Sequence, residues 1–156
     1  MTRVDYYKVT PGGVKALLGL ERYVGASGLE PVLIELVKLR ASLMNGCAYC
    51  VDIHTKDARA KGETEQRLFA VPVWRETPFF SPRERAALAW TEAVTEIGRR
   101  GVSDALYDEA RGQFSEKELA DLTFAVIAIN AWNRLAVTFR PVVGSYKPAV
   151  AAAASA

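Results

Sequence analysis

Residues 31–62 read PVLIELVKLRASLMNGCAYCVDIHTKDARAKG, and this stretch decides the fold. The run 31–44 is apolar at most positions and opens on Pro31. Proline suits the first turn of a helix, where its missing N–H would have had no acceptor. Asn45-Gly46 is a stop signal. A second helical run extends from about Cys47 to Lys61 and ends at Gly62, with Lys56, Arg59 and Lys61 near its C-terminus, where the helix dipole favours cations. Two helices joined by so short a turn form an antiparallel hairpin, in which facing positions sum to about 90.

The flanking sequence follows the same grammar. PGGVKALLGLERYVGASG (11–28) predicts a helix closed by Gly25 and Gly28. A short helix is expected from Thr64 to Phe69. Ser81-Pro82-Arg83-Glu84 and Ser115-Glu116-Lys117-Glu118 are capping boxes, each opening a helix, the second running to about Phe139 before Pro141. Ser103 starts a shorter helix to about Gln113. VPVWRETPFF (71–80) is too rich in proline for a regular element, and its three aromatics are expected to shape a pocket mouth or seal a subunit interface. No segment alternates as a strand does. The fold class is therefore all-α, about seven helices in a single domain over 1–146, with a flexible Ala-rich tail over 147–156.

Half of the residues are hydrophobic and 24% are charged, with a net charge of +2. No basic stripe marks a nucleic-acid face. The most apolar late segment, LADLTFAVIAINAWNRLAVTF, is interrupted by Asp121, Asn130, Asn133 and Arg134, so it reads as a buried helix and not a membrane span. Asn130 and Asn133 are expected to make structural hydrogen bonds. The N-terminus lacks the apolar core of a signal peptide. A cytoplasmic location is expected, where a Cys-x-x-Cys is catalytic or metal-binding more often than a structural staple.

Both cysteines and the only histidine fall in NGCAYCVDIH. Cys47, Cys50 and His54 at i, i+3 and i+7 project within an arc of about 60° on one helix face. Cys50 and His54 are an i, i+4 pair, so an imidazole stands beside a thiol whose thiolate is the nucleophile. The hairpin rule places Glu35 opposite His54. A carboxylate in VLIELV needs a partner, and the imidazole supplies one, gaining a fixed tautomer and higher basicity. A plain core stripe is the bland alternative. Zinc could draw on Cys47, Cys50, His54 and Glu35, yet structural zinc sites use a second Cys/His pair and none is present, so neither metal nor cofactor is expected.

Glu35 followed by Cys-x-x-Cys-x-x-x-His resembles the AhpD-like alkylhydroperoxidases of the carboxymuconolactone decarboxylase superfamily. HTKDARAKGET, WRETPFFSPRERAALAWTEAVTEI and INAWNRLAV are similar to that family's later helices. The resemblance implies an all-α homo-oligomer, a trimer or hexamer, with thiol-dependent peroxidase activity. It assigns peroxide attack to Cys50, disulfide formation to Cys47, and a proton relay to His54 and Glu35. Recycling falls to a dithiol, thioredoxin-like or lipoyl, entering through a more exposed Cys47. The best-known members carry a histidine before the second cysteine. Tyr49 stands there, able to hydrogen-bond as a relay or pocket residue but a poor base near neutral pH. Two alternatives are a redox-responsive binding protein and a lyase that uses Glu35 and His54 without the thiols.

Overall fold

The computed structural model describes residues 1–148, apart from the side chain of Arg100. Among the described residues there are nine α-helices, one 3-10 helix and no strand: α1 (Tyr6–Val9), α2 (Pro11–Gly25), α3 (Pro31–Met44), α4 (Ala48–Ala60), α5 (Glu65–Ala70), the 3-10 helix (Val71–Glu76), α6 (Pro82–Thr95), α7 (Ile97–Arg100), α8 (Asp104–Arg111) and α9 (Glu116–Phe139). The all-α expectation holds. The additional helices, α1 and α7, are single turns of four residues, too short to carry a periodicity. The segment 71–76 forms short 3-10 turns, kinked at Val73 (φ -120°, ψ 28°), so it is only partly regular. Pro72 sits at its N-terminal end, where proline costs no hydrogen bond. The expected Ala-rich tail lies, from residue 149 on, outside the described residues.

The α3–α4 hairpin is the organising unit. Asn45 caps α3 and Gly46 takes φ 66°, a left-handed conformation that glycine adopts without a Cβ clash. The N–H of Cys47 then reaches the carbonyl of Ser42 at 2.9 Å, and that of Gly46 reaches Leu43 at 3.3 Å. This Schellman pattern stops α3 and satisfies its last carbonyls. Cys47 also N-caps α4, its sulfur accepting the N–H of Cys50 at 3.3 Å. One residue thus ends one helix and begins the next.

α3 is enclosed on nearly every side, with Leu33 through Leu39 all buried, because α4, α6 and α9 pack around it. Its apolar residues feed two cores. Ile34 and Val37 join Trp90, Leu122 and Val126, while Leu36 and Leu39 join Trp74, Phe80 and Leu88. A smaller apolar cluster of Ala41, Ile129 and Ala136 lies against the two cysteines. α9 is long and apolar enough to cross a membrane by length and composition. It packs instead along α2, α3, α4, α6 and α8. Its amides hold the hairpin turn, as Asn45 Nδ2 donates to Asn133 Oδ1 at 2.8 Å and to Asn130 Oδ1 at 3.0 Å. Asn133 also donates to Ser42 Oγ at 3.1 Å. Both asparagines are thus structural.

Two of the three aromatics of 71–80 pack inside the chain, whereas Phe79 is exposed. Trp74 and Phe80 are buried in the second core, and Trp74 Nε1 donates to Glu92 at 2.8 Å. Neither lines the cavity described next.

Candidate active site

α3 and α4 face each other as the hairpin rule requires. His54 Nδ1 lies 2.8 Å from Glu35 Oε2, and Lys61 Nζ lies 2.8 Å from Glu35 Oε1. The Glu35 side chain is 7% exposed and that of His54 12%. Burial alone would raise the Glu35 carboxyl. Hydrogen bonds and charge from His54 and Lys61 outweigh it and hold the group at about 2. Glu35 is therefore a fixed carboxylate. Because a carboxylate only accepts, Nδ1 of His54 is the donor and Nε2 is left as the basic nitrogen.

Cys47 and Cys50 form a disulfide, with Cα atoms 5.4 Å apart. Glu35, His54 and Cys50 all line one cavity of about 290 Å³. Tyr6, Tyr7, Tyr49, Tyr146, Trp132 and Ile53 make much of the rest of its wall. Lys38 and Glu21 form a second ion pair there, and Trp132 Nε1 donates to Glu21 at 3.0 Å. Asp57 accepts from Tyr146 Oη at 2.7 Å, which ties the C-terminal segment to the rim.

Cys47 differs from the expectation of a more exposed sulfur. It is 1% exposed against 3% for Cys50. The cause is α9, which crosses the start of α4 and presses Ile129 and Ala136 against the disulfide. Cys47 lines a second cavity, shared with Tyr49 and Arg140. Tyr49 is thus a wall common to both cavities. Burial first, then Tyr7 and Asp52, raise its hydroxyl, so it stays protonated and is not a base near neutral pH.

Sequence reasoning missed Lys61, Asp57, Lys38, Glu21 and Tyr146. In the sequence Lys61 stands out only as a dipole partner, but its long side chain folds back to Glu35. Lys38, a second charge on the buried α3, was a usable signal. Ligand atoms of Glu35, His54 and Asp57 lie within 4.8 Å of one another, close enough to hold a metal ion. Lys61 and Tyr146 already take up both carboxylates, so a cation would have to displace an ammonium and a hydroxyl.

The chain is similar to the uncharacterized protein YdfG of Bacillus subtilis, 43% identical over 135 residues that cover 86% of this chain and 92% of YdfG. A solved structure of a protein of unknown function from Agrobacterium tumefaciens, named as a candidate antioxidant defence protein AhpD, superposes with TM-score 0.90 at 46% identity. The match covers 94% of this chain and 100% of that one. The debrominase Bmp8 shares the fold, with TM-score 0.77 at 20% identity over 86% of this chain and 73% of its own. Residues 11–93, which hold the whole hairpin, match the model of the carboxymuconolactone decarboxylase family. With the CxxC pair at the start of α4 and Glu35 and His54 across the hairpin, the chain belongs to the carboxymuconolactone decarboxylase family, on its AhpD-like side.

Proposed function

We propose that the protein is a thiol-dependent hydroperoxidase, acting in the cytoplasm as a homo-oligomer and reducing organic peroxides through Cys47 and Cys50. The observation that carries this is one cavity shared by Cys50, His54 and Glu35. In the reduced enzyme, His54 Nε2 takes the Cys50 proton, and Glu35 stabilises the resulting imidazolium. The thiolate attacks the peroxide, forming an S–O bond as the O–O bond breaks. The departing alkoxide takes the proton back from His54. Cys47 then displaces water from the Cys50 sulfenic acid and closes the disulfide. The N–H of Cys50 at the helix N-terminus favours a Cys47 thiolate for that step. A dithiol restores the pair. The aromatic wall favours an organic hydroperoxide over hydrogen peroxide, because an apolar tail gains from burial there.

The test is stopped-flow loss of free thiol after adding cumene hydroperoxide to the reduced protein. A fast, saturable, stoichiometric loss is expected. Retention of free thiol over minutes would refute the reading.

The same aromatic wall favours a second reading, reductive dehalogenation. An aryl halide and two thiols would yield the arene, halide, a proton and the disulfide. Release of bromide from a bromopyrrole, without peroxide consumption, would put this reading ahead of the first.

A further inference from the structure

The two cysteines meet different spaces. Cys50 lines the cavity of Glu35 and His54, whereas Cys47 lines a cavity of about 280 Å³ built from Ala136, Val137, Arg140, Pro141 and Val143. Neither Glu35 nor His54 takes part in this second wall, and Tyr49 stands between the two. Its charged member is Arg140, which is exposed and makes no side-chain hydrogen bond or ion pair among the described residues.

Arg140 is also conformationally unusual. It caps α9 with φ 54° and ψ 63°, the left-handed region, held by its N–H on the Ala136 carbonyl at 2.8 Å. Among the described non-glycine residues it alone has a positive φ. It also precedes Pro141, and a residue before proline favours extended backbone. Glycine would sit there without strain. A strained arginine aimed at a cavity is a reason to look for a function.

We infer that the disulfide is served from two sides: the oxidising substrate reaches Cys50 through the Glu35–His54 cavity, and a small anionic thiol reaches Cys47 through the second cavity, drawn by Arg140. This rests on the reading of the pair as a redox couple. The occupant is small because Cys47 is 1% exposed and a flat protein surface cannot touch it. It is anionic because the attacking group is a thiolate and the wall offers a guanidinium. The thiolate forms a bond to Cys47 Sγ, and the Cys47–Cys50 bond breaks with its electron pair going to Cys50. Cys50 then takes a proton from the medium through His54. A second thiol group, on the same molecule where the reductant is a dithiol, attacks the mixed disulfide and releases Cys47, so two thiol groups become one disulfide as the protein gains two.

The experiment starts from oxidised protein and contains no peroxide. Reduction rates are measured with 2-mercaptoethanesulfonate and with neutral 2-mercaptoethanol, each corrected for its thiolate fraction. One guanidinium near the extra charge predicts that the sulfonate is favoured about fivefold at low salt. The preference should vanish near ~0.5 M salt. Arg140→Gly, which fits the left-handed backbone, should bring the ratio to about one, and Arg140→Lys should restore most of it. Rapid alkylation and peptide mapping should place the sulfonate adduct on Cys47. An unchanged ratio in Arg140→Gly, or an adduct on Cys50, overturns the inference. Failure of peroxide reduction would leave this assay untouched, so the two outcomes are separable.

Discussion

Two carboxylates, the buried Glu35 and the partly buried Glu92, are held by cations in much the same way, and only one of them shares a cavity with a sulfur. Glu35 on α3 holds His54 and Lys61, each at 2.8 Å. Glu92 on α6 holds Arg40 at 2.8 Å, Arg75 at 2.7 Å and the Trp74 indole at 2.8 Å. Burial works against both charges, and in both cases the partners win and hold the carboxyl below its ordinary range. The electrostatic solution is therefore shared. The difference lies in the partners. Guanidinium groups never release a proton in this setting, whereas an imidazole can take a proton up and give it back. Glu35 also opens into a cavity with Cys50, and Glu92 is closed over by Trp74. A buried ion pair is thus no sign of chemistry by itself. A buried pair with one titratable member, beside a nucleophile and a space, is.

The strongest way to break the comparison is to remove the nucleophile. Cys50→Ser should lower the rate of peroxide-driven oxidation at least about a thousandfold, since a hydroxyl in this setting is a far weaker nucleophile than a thiolate. Cys47→Ser should lose turnover but keep one round of oxidation, leaving a Cys50 sulfenic acid that a dimedone adduct and intact mass would reveal. If both variants behaved alike, the unequal roles of the cysteines would be wrong.

Next comes the pair of isosteric changes that separates the carboxylates. Glu35→Gln keeps volume and removes the charge that fixes the His54 tautomer. The oxidation rate should fall about a hundredfold, the scale of a positioned general base. Glu92→Gln should leave that rate within about twofold. Both should cost stability, on the order of 1–3 kcal/mol, because each leaves partly buried cations short of a counter-charge. Urea melts and stopped-flow traces on the same samples would show whether rate and stability come apart as required.

Acid sharpens the same contrast. The Glu35 carboxyl falls from an ordinary 4.5 to about 2 in the folded state. As pH drops, the unfolded chain takes up this proton first, so the stabilisation is full above 4.5 and is lost between 4.5 and about 2. A shift of that size is worth about 3 kcal/mol at neutral pH. Glu35→Gln should flatten that part of the acid-unfolding curve, read by circular dichroism. A curve as steep as the wild type would mean that other carboxylates govern acid stability.

Much of this contrast was legible in the sequence, for a definite reason. Glu35 stood out as an acid in an apolar run, and a two-residue turn fixed which position of α4 it met. Local geometry was enough. Glu92 also stands in an apolar run, AALAWTEAV (86–94), but its partners come from α3 and the 3-10 helix, which no short turn brings together, so no spacing rule names them. The depth of Cys47 was misjudged for the same reason. It is set by Ile129 and Ala136 on α9, some eighty residues away in sequence. The four-residue helices and the 3-10 turn fell below the length at which a period shows. Tyr146 and Asp57 meet across 89 residues, a contact that no spacing rule predicts.

That last contact gives the smallest and most local test. Tyr146 Oη donates to Asp57 at 2.7 Å, while its carbonyl accepts from Lys56 at 3.1 Å and the N–H of Gly144 reaches Asp52 at 3.2 Å. These bonds lay the segment after Pro141 along α4, with the Tyr146 ring on the cavity wall. Burial, then the Asp57 contact, push the Tyr146 hydroxyl above its ordinary value, so it remains a donor across the working pH range. Tyr146→Phe deletes one hydrogen bond and keeps the ring. It should cost about 1 kcal/mol or less in a urea melt. The cavity keeps its apolar wall, so affinity for an organic hydroperoxide should hold within about twofold. Tyr146→Ala removes the wall as well, and should raise the half-saturating concentration of cumene hydroperoxide several-fold while leaving that for hydrogen peroxide unchanged. Equal losses for the two peroxides would show that Tyr146 supports the α4 rim rather than the bound tail. The aromatic wall would then be a lining of the fold, as closed to substrate as the surroundings of Glu92.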